Sequence, residues 1–356
     1  MSAFHQIGST ALRLLPAETG HGLALRGLAS GLGPRARADD LPSLAQDICG
    51  LHFANPVAVS AGFDKNASAI AGVRRLGVGF VEVGGVTPRP QPGNPKPRLF
   101  RLTPDRAAIN RMGFNNDGAE AVLTRVQAAH DGSTPIGVNL AANGDSTDPA
   151  GDFISLVIQF AAAADFLTLD VSCPNSANGQ VFLDPRALED LLSRLNTARE
   201  ETGTRPAFFG KLAPDLTDDH LAELLEVMRV GGIDALTLCN TTTARPDSLQ
   251  STNAGERGGL SGAPLFEMAT EMLRKVYAQV GDTIPLIGVG GVMSGVDAYT
   301  KIQAGASLVQ LYTGLVYEGP GLIQTIKREI DERLARDGYT SVSQAIGSEH
   351  SSQSSD

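Results

Sequence analysis

Cysteine is scarce in this chain. Cys49, Cys173 and Cys239 are the three among 356 residues, far apart and with no CxxC pair. That count and spacing argue against an iron–sulfur or structural zinc site held by this chain, and no metal is expected. They argue equally against a disulfide-stapled secreted domain, so the expected compartment is reducing. Long apolar runs are missing too. None approaches the roughly 18 residues of a transmembrane helix, and no apolar core followed by a small-residue cleavage site opens the chain. Positive charge is in deficit: the net charge is −10, which weighs against a nucleic-acid partner bound by broad phosphate neutralisation. The deficit is uneven. Residues 1–38 carry Arg13, Arg26, Arg35 and Arg37 against Glu18, a local balance of +3 that leaves −13 for the rest. A G-x-G-x-x-G run after a first strand, the mark of a dinucleotide site, is also absent.

What is present is a large apolar fraction, 42% of the residues, enough for one core the size of a barrel domain of about 250 residues plus extensions. Two helical patterns open the chain. The first spans 3–15, with Phe4, Ile7, Ala11, Leu14 and Leu15 on one face and Pro16 as its stop. The second spans 17–32, with Leu23, Leu25, Leu28 and Leu32, and ends at Gly31, Gly33 and Pro34. Short, amphipathic and basic, the pair either lies on an anionic bilayer surface or caps the following domain. Residues 35–42 read as a linker. From there one theme repeats: an apolar run, a polar or glycine-rich turn, a helical stretch. The runs are 57–60, 79–83, 136–140, 166–171, 207–212, 234–238, 285–289 and 307–311. Helical candidates are 67–76, 119–129, 153–163, 186–202, 218–230, 266–280 and 295–304. Continuous apolar runs suit strands covered on both faces, and eight of them alternating with helices point to an α/β fold, a (β/α)₈ TIM barrel. Residues 87–114, rich in Pro and Arg, form a long insertion of the kind that carries function. The expected organisation is a helical pair at 1–38, a barrel at 39–340 and a disordered tail at 341–356.

The chemistry-bearing residues fall at one place in each repeat, the C-terminal end of the strand, where barrel enzymes gather their sites. They are Ala61, Gly62, Asp64 and Lys65; Gly84 and Gly85; Asn139; Asp170, Ser172, Cys173, Pro174 and Asn175; Lys211; Cys239, Asn240 and Thr241; Gly290 and Gly291; Tyr312, Thr313 and Gly314. Gly290–Gly291 is either a tight turn or, with Tyr312 and Thr313 on the next loop, a phosphate site. The glycines at 62, 84 and 85 would let a flat ring approach the backbone. Lys211, in a buried strand, is either half of an ion pair with Asp170 or a cation beside a flavin. Asn110, Asn139, Asn175 and Asn240 suit a ligand with alternating N–H and C=O groups, as in a pyrimidine, and Lys65 suits its acidic substituent. Cys173 is an inert thiol or a general base.

Beyond these separate signals, longer runs resemble a known family. They are Ala61-Gly62-Phe63-Asp64-Lys65, residues 86–95 (VTPRPQPGNP), Asn110-Arg111-Met112-Gly113-Phe114-Asn115-Asn116, Lys211-Leu212-Ala213-Pro214-Asp215, Gly258-Gly259-Leu260-Ser261-Gly262 and Gly288-Val289-Gly290-Gly291. Over about residues 10–330 they look like those of dihydroorotate dehydrogenases, and the insertion and helical pair resemble the quinone-linked class 2 branch. The resemblance implies FMN as cofactor, oxidation of dihydroorotate to orotate in pyrimidine synthesis, a membrane quinone as acceptor, and peripheral attachment to the cytoplasmic face of a membrane. It implies that Ala61, Gly62, Phe63, Asp64, Lys65, Gly85, Asn139, Asp170, Lys211, Cys239, Gly262, Gly291, Tyr312 and Thr313 surround FMN. It implies that Lys65, Asn110, Arg111, Met112, Gly113, Phe114, Asp170, Asn175, Asn240 and Thr241 hold the substrate, that Cys173, Lys65 and Asn110 are catalytic, and that His21 and Arg101 line the quinone entrance. Three features depart from that branch. Asp170 stands where it has asparagine, Cys173 where it has serine, and residues 176–180 (SANGQ) where it has threonine-proline-glycine-leucine-arginine. The departures leave room for a paralogue acting on another cyclic amide or enone, and a third reading is a flavin-binding barrel without catalysis.

Overall fold

The computed structural model describes residues 3–36, 41–176 and 178–353. The expected boundary at 38/39, Arg37 and Ala177 lie outside the described residues, as do positions 354–356. Eight parallel strands close into a barrel in chain order: β1 (Val57–Val59), β2 (Phe80–Val86), β3 (Ile136–Leu140), β4 (Phe166–Asp170), β5 (Ala207–Leu212), β6 (Ala235–Leu238), β7 (Leu286–Val289) and β8 (Ala306–Leu311). The last pairs with the first through Val309 and Val57. All eight expected runs are strands, with ends displaced by a few residues.

The runs read as continuously apolar because both faces of each strand are covered, yet the barrel interior still follows the period of two. Phe80, Phe166, Phe209, Ala235, Ile287 and Leu308 share an inner cluster with Phe53, which the hairpin Gln46–Ile48/Leu51–Phe53 tucks under the barrel. Phe166 and Phe209 stack with ring centroids 4.4 Å apart. Two or four residues further along the same strands stand Glu82, Thr168, Asp170, Lys211 and Thr237, all buried. The interior therefore grades from an aromatic floor to a polar top, and only the top is chemically active.

Outside the barrel, the expected insertion is not a structureless loop. Its strands Leu99–Leu102 and Ala107–Asn110 form a three-stranded antiparallel sheet with Gly259–Gly262, contributed from after β6. The helix expected at 67–76 shortens to Ile70–Arg74, and Leu322–Arg336 was not among the seven expected helices. Nor is the tail disordered where it is described. Val342–Ala345 and Ser348–Gln353 are helical, and Arg274 donates to Glu349 at 2.6 Å. The N-terminal pair, α1 (Ala3–Leu14) and α2 (Ala17–Ala29), covers the barrel mouth. It is held by Arg75, which donates to the Leu28 carbonyl at 2.7 Å, and by Glu18, which pairs with Arg98.

Candidate active site

One cavity of about 770 Å³ runs from between α1 and α2 down to the polar top of the barrel. Its walls change character along the way. The outer part is lined by Leu12, Leu15, Leu23 and Leu28. The inner part is lined by Lys65, Asn110, Asn139, Asp170, Cys173, Asn175, Lys211, Cys239, Asn240 and Thr241. The residues expected from strand ends thus meet in a single space, because parallel strands of one barrel deliver all their C-terminal ends to one rim.

Lys211 and Asp170 are register partners on β5 and β4, so both side chains rise on the same inner face. Their charged atoms lie 3.7 Å apart. Asn240 donates to the other Asp170 oxygen at 3.1 Å. Burial pushes the Asp170 carboxyl above the ordinary carboxylate range, against the pull of Lys211. Burial also works against the Lys211 ammonium, but the Asp170 and Glu82 carboxylates outweigh it and hold its pKa above the ordinary lysine value. Glu82, which sequence reasoning passed over, accepts from Gln310 and, at 3.4 Å, from Asn139. Its signal was the one Lys211 gave: a charged residue inside an apolar run.

Cys173 is buried at the end of β4. Burial and the Asp170 carboxylate push its thiol up to about 12. Lys211 pulls the thiol the other way but does not offset them, so the neutral thiol dominates at physiological pH. Lys65 donates to the Gly62 carbonyl at 2.5 Å, and its pKa is lowered to about 8, first by burial and then by Arg98. His21 lies between Phe63 and Tyr312 with ring centroids at 5.3 and 5.8 Å. Burial and the nearby Lys65 lower it to about 4, so its ring is neutral at physiological pH.

Three expected residues sit differently. The Asp64 carboxylate faces away from the cavity and accepts from the N–H groups of Ser68 and Ala69, while its carbonyl accepts from Gly84. It shapes the first loop from behind. Arg111 turns outward to Glu256 at 2.8 Å and lies over the Phe100 ring, because its neighbours in the Ala107–Asn110 strand alternate faces. Arg101 lines the cavity mouth, but its guanidinium is committed to the carbonyls of Leu12, Arg13, Leu15 and Ala17. It caps the C-terminal end of α1.

The inner cavity has the shape and donor set for a flat heteroaromatic group carrying a phosphate. Among the described residues, the buried Asn139 Oδ1 has no hydrogen-bond partner. A Cβ on Gly85 would stand 3.1 Å from that atom, and one on Gly62 would meet only open space and the Tyr312 ring at 4.0 Å. At the other end, Gly291 has φ +77°, and a Cβ there would reach 2.4 Å from Phe266. The turn thus needs glycine, and it lines the same cavity as Thr313, whose hydroxyl lies 2.9 Å from that of Ser261.

Comparison with known proteins agrees with this geometry. The dihydroorotate dehydrogenase family matches residues 43–334. A protein of Rhodospirillum rubrum named dihydroorotate dehydrogenase (quinone) is 48% identical over 338 residues, 94% of this chain and 92% of its own length. A protein of Cereibacter sphaeroides with the same name is 48% identical over 347 residues, 98% of each. Among solved structures, the crystal structure of DHODH in complex with ferulenol from Eimeria tenella superposes with a TM-score of 0.90 at 36% identity, covering 94% of this chain and 95% of that one. The ligand-free form superposes with a TM-score of 0.89 at 37% identity, covering 93% and 98%.

Proposed function

The chain belongs to the dihydroorotate dehydrogenase family, and on that premise we propose that it oxidises dihydroorotate to orotate with FMN as cofactor and a membrane quinone as acceptor. The observation that carries this reading is the single cavity. It joins a polar inner chamber, built for a flavin and an anionic cyclic amide, to an apolar passage between α1 and α2. Gly291 and Thr313 would hold the flavin phosphate, and Gly62, Gly85, Asn139 and Lys211 its ring. Held there, FMN would supply two-electron chemistry, taking hydride from C6 of the substrate and delivering the electrons to quinone.

The chain's own groups do the rest. Lys65, as ammonium, pairs with the substrate carboxylate. Asn110, Asn175 and Asn240 match its N–H and C=O edges, since amides both donate and accept, and Thr241, Met112, Gly113 and Phe114 wall the chamber. Cys173 takes the C5 proton. With the thiol pushed up to about 12, the thiolate that forms by losing its proton to solvent is scarce but strongly basic, and it takes up the C5 proton as the C6–H bond breaks. His21, neutral and beside Phe63 and Tyr312, offers a donor to a quinone carbonyl at the inner end of the apolar passage. Arg101 contributes by fixing the two helices that form it.

Leu14 and Leu23 on these helices, with Leu15 and Leu32 just beyond their ends, face solvent, Leu14 84% and Leu32 68% exposed. Arg26 and Arg35 are exposed beside them. Among the described residues no helix is long and apolar enough to cross a membrane. We therefore place the protein on an anionic membrane surface, facing the cytoplasm, with its leucines in the interface. Acid release of the flavin followed by chromatography should yield FMN, and dihydroorotate with a soluble quinone should give orotate and quinol in equal amounts. FAD as the sole flavin, or orotate formed only with oxygen, would contradict the proposal.

A further inference from the structure

The inner chamber holds an unusual charge arrangement. One ammonium, Lys211, serves two buried carboxylates. Asp170 Oδ2 lies 3.7 Å from its Nζ, while Glu82 stands deeper on the same interior, held by Gln310 and Asn139. The Asp170 and Lys211 side chains are 5% and 9% exposed, so water screens their interaction little. The remaining Asp170 oxygen accepts from Asn240, an amide on the substrate side of the chamber. The groups facing Asp170 are Lys211 on β5, Asn139 on β3, Asn240 after β6, and Ser172 and Cys173 on its own strand end.

We propose that Asp170 is the counter-ion of Lys211: it cancels the ammonium's field at the flavin ring and at the substrate pocket, and so sets the flavin potential and the affinity for anionic ligands. The proposal rests on the function given above. Asp170 acts as a positioning residue, through Lys211 and Asn240. The physical ground is that a lone buried ammonium beside a ring that gains negative charge on reduction stabilises the reduced form. An ammonium paired with a carboxylate presents a dipole, whose field falls off faster than that of a charge. The pairing also explains how two carboxylates survive so close to an anionic substrate, since each is tied to a donor of its own.

The test uses the full-length, flavin-loaded protein and its Asp170→Asn variant, which keeps the shape and the Asn240 contact. Asp170→Ser serves as a second variant should the first lose flavin. The flavin midpoint potential is measured by chemical reduction against a reference dye, and orotate affinity by perturbation of the flavin spectrum. In Asp170→Asn the potential should move to more positive values, and orotate should bind about tenfold or more tightly. In a Lys211→Gln background the same substitution should leave the potential unchanged, because an unpaired buried carboxyl takes up a proton and then resembles an amide. A merely structural role for Asp170 would show no such dependence on Lys211. A potential in Asp170→Asn equal to that of the wild type, or an equal shift in the Lys211→Gln background, overturns the proposal. The potential needs no substrate, so it decides this question even where orotate fails to perturb the wild-type spectrum, a result that would instead contradict the substrate assignment.

Discussion

Cys173 and Lys65 pull the pH dependence of the reaction in opposite directions. The thiol is held near 12 by burial and by Asp170, so its conjugate base grows about tenfold with each pH unit across the accessible range. Flavin reduction at saturating dihydroorotate should therefore keep rising with pH in stopped-flow traces, with no plateau at the ordinary thiol pKa. Cys173→Ala should slow that step by about a hundredfold or more while FMN stays bound, the usual scale for losing a general base. Cys173→Ser should retain more activity than Ala, since a hydroxyl still relays a proton. Wild-type rates in Cys173→Ala would transfer the role to another group, Asp170 first. Lys65 works the other way. Its folded pKa lies below the ordinary lysine value, so its ammonium is present at neutral pH and lost as pH rises through about 8. Because kcat/KM reports the free enzyme, it should bend downward above about 8, and Lys65→Met should abolish the bend while raising KM. A kcat/KM that keeps rising with pH straight through about 8, with no change of slope, would remove Lys65 from substrate binding.

At the scale of elements, what was legible in the sequence follows from how local its cause is. The eight strands announced themselves because burial on both faces needs continuous apolar runs, and Lys211 and Asp170 stood out as charges at the ends of such runs. The sheet of Leu99–Leu102, Ala107–Asn110 and Gly259–Gly262 did not, because its third strand comes from after β6 and pairing at that range leaves no local period. The helices after Ser341 were hidden for a similar reason. Val342–Ala345 is a single turn, too short to show a period although Val342 and Ala345 are buried in the core, and Ser348–Gln353 is polar; Arg274 on Glu349 and a capping box between Ser341 and Gln344 add to their hold. Asp64 and Arg111 were misplaced because a motif says that a residue belongs to a loop but not which way its side chain turns. The N-terminal helices carry the prediction proper to this scale. They pack on the barrel through Leu28 and Glu18, while Leu14, Leu15, Leu23 and Leu32, in these helices or just after them, stay exposed for the proposed membrane contact. Deleting residues 1–38 should release the protein from anionic vesicles and cut quinone reduction severely, while dihydroorotate still reduces the flavin. Sedimentation and quinone kinetics unchanged by the deletion would reject that role.

Across the whole molecule, the closed barrel fixes the site by bringing eight strand ends to one rim, and the helical pair roofs that rim to form a single passage from apolar to polar surroundings. The proposed division of labour follows from this shape: substrate chemistry at the polar end, quinone chemistry at the apolar end, and the flavin between them. The claim on which the rest depends is that the inner chamber is made for dihydroorotate despite Asp170 and Cys173. Anaerobic titration of the flavin-loaded protein with dihydroorotate tests it most directly. Complete bleaching of the oxidised flavin absorbance is expected, with orotate formed in equal amount, and return of the colour on adding quinone. A flavin that stays oxidised with dihydroorotate, whether or not another cyclic amide or enone bleaches it, would contradict the account.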